Sequence, residues 1–427
     1  MTLVAVAVFV TAYALIASEK IHRVTVALGG AAVMLAAGVL DFEHAFHSEE
    51  TGVDWEVIFL LLGMMIIVGV LRQTGVFEYV AIRAVKRAGG GPFRVMVLLV
   101  LITAGASALL DNVTTVLLIA PVTLLVCNRI GVNPVPFLLA EVFASNVGGT
   151  ATLIGDPPNI IIAGRAGLTF NDFLIHLAPI VVVLVGALLL LCRVMFRDQF
   201  AYDPEGAAEV MALDEREAIS DPRLLIKSGV VLIAVLVGFV VSATTGTAPA
   251  TVALLGAGVL VLISGLQPRE YLADVEAPTL LFFVGLFIMV GALIEVGAIG
   301  QLAEWATEAT GGDVQVATFL LLSVSAVLSA VVDNIPYVAT MAPLVESLAG
   351  STGNPDNVLW WSLALGADLG GNATIIGASA NVVMLGIAEK NGYRITFWHF
   401  AKYGSIVTLV TVLLCVPYLY LRYFAFA

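Results

Sequence analysis

Asp111-Asn112-Val113-Thr114-Thr115 and Gly155-Asp156-Pro157-Pro158-Asn159 bound the stretch that decides the fold, and between them runs Ser145-Asn146-Val147-Gly148-Gly149-Thr150-Ala151-Thr152. Displaced by 222 positions, a second copy opens with Asp333-Asn334-Ile335-Pro336 and closes with Ala367-Asp368-Leu369-Gly370-Gly371-Asn372-Ala373-Thr374, then Ile376-Gly377-Ala378-Ser379-Ala380-Asn381. The shift runs without a gap. Gly63, Gly69, Gly75 and Pro121 fall on Gly285, Gly291, Gly297 and Pro343, and seven of sixteen positions agree between 144–159 and 366–381. The chain is an internal duplication.

Both copies lie among apolar segments. The 427 residues are 60% hydrophobic and 12% charged, whereas a soluble domain carries about 25% charged residues. An integral membrane protein follows, expected in a bacterial-type plasma membrane with the lipid bilayer as its surroundings. The net charge of −13 comes from acids concentrated in 41–56 and 198–221 or standing singly in apolar runs, so no nucleic-acid partner is expected. Cys127, Cys192 and Cys415 are far apart in apolar runs, which indicates neither a disulfide framework nor a metal-thiolate site.

Apolar runs at 2–18, 24–40 and 55–71 each suit a helix that crosses a hydrocarbon core of about 30 Å. The first lacks a positive leader segment and reads as a retained span. Residues 76–88 suit an interfacial helix. The arms 95–110 and 113–127, joined at Asp111-Asn112, predict a re-entrant hairpin, because a 16-residue arm reaches only about 24 Å. Residues 134–163 predict one crossing whose centre is broken by Gly and Pro. Its second half is expected to start with Asp156 as N-cap and proline in the first turn. Residues 173–192 make a fifth crossing.

The second half repeats the pattern with crossings at 224–242, 250–265 and 278–294, a short segment 298–310, a hairpin 315–349, a broken crossing 358–388 and a last span 399–424. The expected organisation is a first repeat over 1–197, an acidic cytoplasmic linker over 198–222 and a second repeat over 223–427. The fold class is therefore an all-α polytopic membrane protein of two repeats, each with five transmembrane helices, a re-entrant hairpin and a broken helix. An odd number of crossings per repeat makes them inverted. Charge agrees, since placing the N-terminus outside puts 17 of the 19 Lys and Arg inside and leaves only Arg165 and Arg422 outside. Both termini are then extracytoplasmic.

Inverted repeats with paired broken helices are the architecture in which secondary transporters bind substrate near the midplane. Four carboxylates fall at the breaks: Asp111 and Asp333 at the tips, Asp156 and Asp368 in the broken crossings. An ionised Asp at mid-membrane costs roughly 3 kcal/mol or more unless paired or hydrated. No Lys or Arg stands beside a tip or a break in the sequence, which favours a cation or a proton as ligand. Asp111, Asp333 and Asp368 are the expected proton carriers, although Asp111 and Asp333 also suit helix capping, as does Asp156, whose counterpart is Ala378. Asn112, Asn146, Thr150, Thr152, Asn159, Asn334, Asn372, Thr374 and Asn381 supply neutral oxygens for ion coordination, or hydrogen bonds between helices. Gly149 and Gly371 supply backbone geometry. His176 lies in a span with no partner visible in the sequence.

At these residues the chain resembles the ion transporter superfamily, and within it the branch of arsenite permeases, NhaD-type sodium/proton antiporters and the P protein. The resemblance rests on Leu110-Asp111-Asn112-Val113-Thr114-Thr115 and Gly155-Asp156-Pro157-Pro158-Asn159 with their second-half counterparts, and covers roughly 53–400. It implies a transporter, often a homodimer, in which a transport domain of hairpins and broken helices moves against a scaffold in an elevator-like motion driven by H+ or Na+. The chain departs from the family's Ser-Asn-Thr pattern of dicarboxylate and citrate carriers, with Gly149-Thr150 after Ser145-Asn146 and with Ala367-Asp368 in the other half, which disfavours a carboxylate substrate.

The expected function is thus a secondary active ion transporter, a proton-coupled exchanger acting on a small inorganic ion. The alternatives are a sodium-coupled symporter of a small anion such as a dicarboxylate, and an ion channel. No cofactor is expected beyond the coupling ion, with Na+ bound at the same site. No enzyme is expected, because neither a metal-ligand spacing nor a nucleophile-base arrangement is present.

Overall fold

A computed structural model describes residues 1–18, 20–48, 50–89, 91–200, 214–352 and 354–425, and these are helical with no strand among them. The first half comprises α1 (Thr2–Ala17), α2 (Arg23–Ala36), α3 (Phe42–His47), α4 (Trp55–Arg72), α5 (Val76–Arg87), α6 (Pro92–Ser107), α7 (Asn112–Arg129), α8 (Val135–Gly149), α9 (Pro157–Ala166), α10 (Phe170–His176) and α11 (Ala178–Met195). The second comprises α12 (Pro222–Thr245), α13 (Pro249–Ser264), α14 (Pro268–Tyr271), α15 (Ala277–Glu295), α16 (Ala298–Thr310), α17 (Val314–Ser329), α18 (Asn334–Thr352), α19 (Val358–Gly370), α20 (Ser379–Lys390) and α21 (Phe397–Tyr423). Helix bounds follow the 222-residue shift, so that α6 at 92–107 becomes α17 at 314–329.

Both hairpins and both broken helices form where the Gly- and Pro-rich runs place them. The expected crossing at 173–192 is different: a short α10 ends at His176 and the long α11 starts at Ala178. Pro179 causes this, since it is accommodated in the first turn of a helix and not in its interior. At 18 residues α7 could by length alone span about 27 Å. Its first residue, however, hydrogen-bonds Asp156 at the break between α8 and α9, so this arm of the hairpin starts beside the break.

The halves interlock by exchanging partners. α4 packs on α13 and α15 packs on α2, while α18 packs on α9 and α20 packs on α7. Contacts at the helix ends fix the direction of travel. Trp361 at the start of α19 stacks on His176, just beyond α9, with ring centroids 4.9 Å apart. Tyr393 beyond α20 donates to Asn128 Oδ1 at the base of the first hairpin at 2.6 Å, and Arg165 at the end of α9 pairs with Glu346 at the base of the second at 3.8 Å. Each broken helix therefore starts near where the other ends, and the two run antiparallel. His176 does have partners: besides the Trp361 ring, its Nδ1 shares a 2.5 Å hydrogen bond with the Tyr423 hydroxyl. That aromatic clamp comes from residues more than 180 positions away in sequence, which is why none was visible there.

Of the expected linker, residues 201–213 lie outside the described set. Its described end docks on the interfacial helix α5. Lys86 Nζ donates to Glu215 at 2.5 Å, Ser220 Oγ donates to Gln73 O at 2.6 Å, and the ammonium of Lys86 holds the Glu215 carboxyl below the usual carboxylate range.

Candidate ion-binding site

Each hairpin is stitched to its own broken helix by the same bonds. Ser107 Oγ at the first tip donates to Ser145 O at 2.7 Å, and Ser329 Oγ at the second donates to Ala367 O at 2.6 Å. Thr152 Oγ1 donates to Ala108 O, as Thr374 Oγ1 does to Ala330 O. Within the breaks, Asn159 Nδ2 donates to Thr152 O at 2.9 Å and Gly149 O at 3.3 Å, and Asn381 Nδ2 donates to Thr374 O and Gly371 O at 2.8 Å each. These pairs satisfy carbonyls that the broken helices leave open, which is what allows irregular backbone inside a membrane protein. Thr150 Oγ1 turns back to Asn146 O at 3.0 Å.

The two tips meet at one carboxylate. Asn112 Nδ2 of the first tip and Asn334 Nδ2 of the second both donate to Asp156 Oδ2, at 3.0 and 3.3 Å. Asn112 Nδ2 also reaches Asn146 Oδ1 at 3.3 Å, and Asn146 Nδ2 donates to Asn372 Oδ1 and Asn381 Oδ1 at 3.0 and 3.1 Å. Asn112, Asn146, Asp156, Asn334, Asn372 and Asn381 thus form one network across the halves, and all are buried. Asp156 occupies the N-cap position of α9 with Pro157 after it, as expected, but its side chain makes no cap bond. Prolines at 157 and 158 have no N–H to offer, so the carboxylate turns to the tips instead.

The network leaves oxygens free. Asp156 Oδ1, Asn159 Oδ1, Asn334 Oδ1 and both oxygens of the fully buried Asp368 have no hydrogen-bond partner among the described residues. Asp156 and Asp368 lie within electrostatic reach of each other. Two carboxylates with amide oxygens form a hard, oxygen-only donor set of the kind that suits Na+ or a proton. No cluster of three or more His, Cys, Asp or Glu that could hold a metal ion exists among the described residues.

Asp111 and Asp333 lie within electrostatic reach of Asp156 but are held by other hydrogen bonds. Asp111 caps α7, accepting from Thr114 N at 2.8 Å and Thr114 Oγ1 at 2.5 Å. Asp333 accepts from Ile335 N at 3.1 Å, from Ser379 Oγ, and from Arg23 Nη1 at 3.3 Å. The expectation that no base stands near a tip is therefore corrected: Arg23 supplies one from the start of α2, 310 residues away, a separation that no local pattern reveals. Glu141, the lone acid of the apolar run that forms α8, was also passed over, although a charge in such a run is itself a signal.

The Arg23 pair joins α2 to the second tip, with the side chains 29% and 14% exposed. Such a pair is worth about 1 kcal/mol. We expect Arg23→Gln to speed labelling of a Val383→Cys variant, half-buried in the cavity that Arg23 and Asp333 line, by an impermeant thiol reagent about five-fold, the population change that such a loss brings. The native cysteines are buried and would label little. An unchanged labelling rate would show that the pair does not hold the tip.

The pattern of the citrate transporter family matches residues 13–366. An uncharacterized transporter of Mycobacterium tuberculosis is 59% identical over all of both chains. A 46 kDa membrane protein of Mycobacterium leprae is 56% identical over 99% of each. The human P protein is 32% identical over 96% of this chain and 59% of its own length, in line with the branch that the motifs indicate. Among solved structures, the YdaH transporter of Alcanivorax borkumensis superposes with a TM-score of 0.63 at 15% identity, covering 98% of this chain and 97% of that one. The MtrF efflux pump of Neisseria gonorrhoeae does so at 0.64 and 12%, covering 98% of each; both likenesses concern the fold. The repeated pairing of hairpins and broken helices, the family pattern and these relatives converge: the chain belongs to the citrate transporter family, CitMHS, and is an integral-membrane secondary transporter of a small molecule.

Proposed function

We propose that this transporter is a proton-coupled ion exchanger working by alternating access between two inverted repeats, in which Asp156 and Asp368 trade a proton for a bound cation. The meeting of both tips on the Asp156 carboxylate supports this most directly, because movement of either hairpin must then change that group's partners. Asp111 and Asp333, engaged in a cap and an ion pair, act as positioning residues for the tips. Inversion is supported by the antiparallel broken helices, and the charge split supports an orientation with both termini outside. Tags at both ends reached only from the cytoplasmic side would overturn that orientation. The family resemblance further supports a homodimer.

A second reading has one observation in its favour. A cavity of about 280 Å³ is lined by Arg23, Asp333 and Ser379 at the N-terminus of α20, a setting that suits a carboxylate, and the family carries the name of citrate. Proteoliposomes loaded with a pH dye and given gradients of sodium, arsenite or citrate separate the two. The exchanger predicts proton flux opposite to an imposed cation gradient. Citrate uptake that requires sodium, without proton counterflow, would replace it with the symporter, and unitary currents would replace both with a channel.

A further inference from the structure

Glu141 lies in the first broken crossing but outside the central network. It sits on α8 about 12 Å of helix rise before the break and is 3% exposed. Thr123 Oγ1 of α7 donates to Glu141 Oε1. Its Oε2 has no partner, and Glu141 makes no ion pair among the described residues. Packing does not demand this pair, since in the second copy the same positions are Leu363 and Val345, both fully buried. An apolar pair fills the equivalent joint, whereas a charged carboxylate at this depth costs roughly 3 kcal/mol or more.

Polar groups follow Glu141 toward the break, while toward the start of α8 the buried Phe137, Leu138, Leu139 and Ala140 stand between it and a cavity. Toward the break, Thr115 lies two turns from Thr123 on the same face of α7 with a buried, unpartnered hydroxyl. Ser145 lies one turn from Glu141 on α8, and its Oγ donates to Asn112 O at 3.0 Å, beside the Asn112 to Asp156 bond. Toward the start of α8, a cavity of about 380 Å³ is lined by Asn133, Val135, Pro136, Asp198, His399 and Tyr403, among others. It begins about 8 Å of helix rise from Glu141.

The helices packed against α8 are α6, α7, α11, α19, α20 and α21. Of their titratable groups, the Cys127 thiol on α7 lies within electrostatic reach of Glu141. Arg94, Arg129, Arg193, Glu389, Lys390, His399 and Lys402 are exposed toward the helix ends, Tyr403 is half-buried at the cavity, Tyr418, Tyr420, Arg422 and Tyr423 lie in the last turns of α21, Cys192 and Cys415 are buried thiols, and Asp368 and Asp111 belong to the break and the tip.

We propose that Glu141, held by Thr123, is a proton-relay residue that connects the cavity at the foot of α8 with the central carboxylates without touching the transported ion. Each passage moves one proton: Glu141 takes it from the cavity side and returns to carboxylate as it releases the proton toward Asp156, on the side where the Thr115 and Ser145 hydroxyls lie. This rests on the exchanger reading, and the experiment separates the two. The full chain in proteoliposomes with a lumenal pH dye is given sodium or citrate gradients over a range of pH.

We expect Glu141→Gln, which keeps the size and the Thr123 bond, and Glu141→Leu, which copies the second half, to slow proton flux about ten-fold or more and flatten its pH profile. In the same samples, infrared difference spectra across a pH step should lose one carboxyl band. If both variants fold and keep the wild-type flux, pH profile and carboxyl bands, the relay fails while the exchanger stands. If the wild type moves no protons under any gradient, the exchanger reading fails and takes the relay with it.

Discussion

Asp156→Asn should abolish proton-coupled transport, by about a hundred-fold or more, while the protein keeps its fold and gains thermal stability. The Asn side chain is isosteric and can still accept hydrogen bonds from Asn112 and Asn334 at the junction of the tips. What disappears is the ionisable group. A carboxylate with a free oxygen in a buried site is costly in its charged form, so its neutral replacement relieves the ground state. Loss of activity with gain of stability is the signature of a group kept for function. Asp368→Asn should behave in the same direction, because both of its oxygens are unpartnered, whereas Asp111→Asn should act mainly by weakening the Thr114 cap. Flux in proteoliposomes and thermal unfolding in detergent measure the two halves of this expectation. Transport by Asp156→Asn at the wild-type rate with an unchanged pH profile would remove Asp156 from the mechanism.

The hairpins and broken helices were legible because their cause is local. Gly and Pro interrupt apolar runs at positions repeated 222 residues apart, and the stitching bonds of Ser107 and Ser329 repeat at the same spacing. The duplication shows less at the junction of the halves. Opposite Ala378, Asp156 looked like an N-cap of one half only. In the fold it serves both halves at once, as the acceptor for Asn112 and Asn334, and a residue on a shared junction needs no copy of itself. The sequence suggests Asp111, Asp333 and Asp368 as proton carriers, and the fold adds that Asp111 is held by Thr114 and Asp333 by Arg23. Periodicity and repeat alignment report what each half does alone. The roles of Asp156 and Arg23 arise where halves meet, and that information is in the packing.

The packing has its own sharp test at Gly148, where α6 crosses α8. A Cβ at Gly148 would lie 2.5 Å from Ala104 Cα and 2.7 Å from Ala104 C, and at Gly370 the second half repeats the crossing, 2.8 Å from Ala326 Cα. The obstruction is main chain, which cannot swing aside as a side chain can. Gly148→Ala must therefore push the hairpin arm off the broken helix, at a cost of about 1–3 kcal/mol or more. The displaced arm carries Ser107 and Ala108, whose bonds to Ser145 and Thr152 fix the tip against the break. Stability and transport should fall together, and Gly148→Val should leave little folded protein. Gly105, one residue beyond Ala104 on the same arm, gives the opposite expectation. A Cβ there meets nothing within 4 Å, so Gly105→Ala should stabilise the helix by about 0.5–1 kcal/mol and leave flux unchanged. Thermal unfolding of the two alanine variants side by side decides the matter: a Gly148→Ala protein as stable as Gly105→Ala would mean that hairpin and broken helix are not in main-chain contact, and that the tip is not anchored as described.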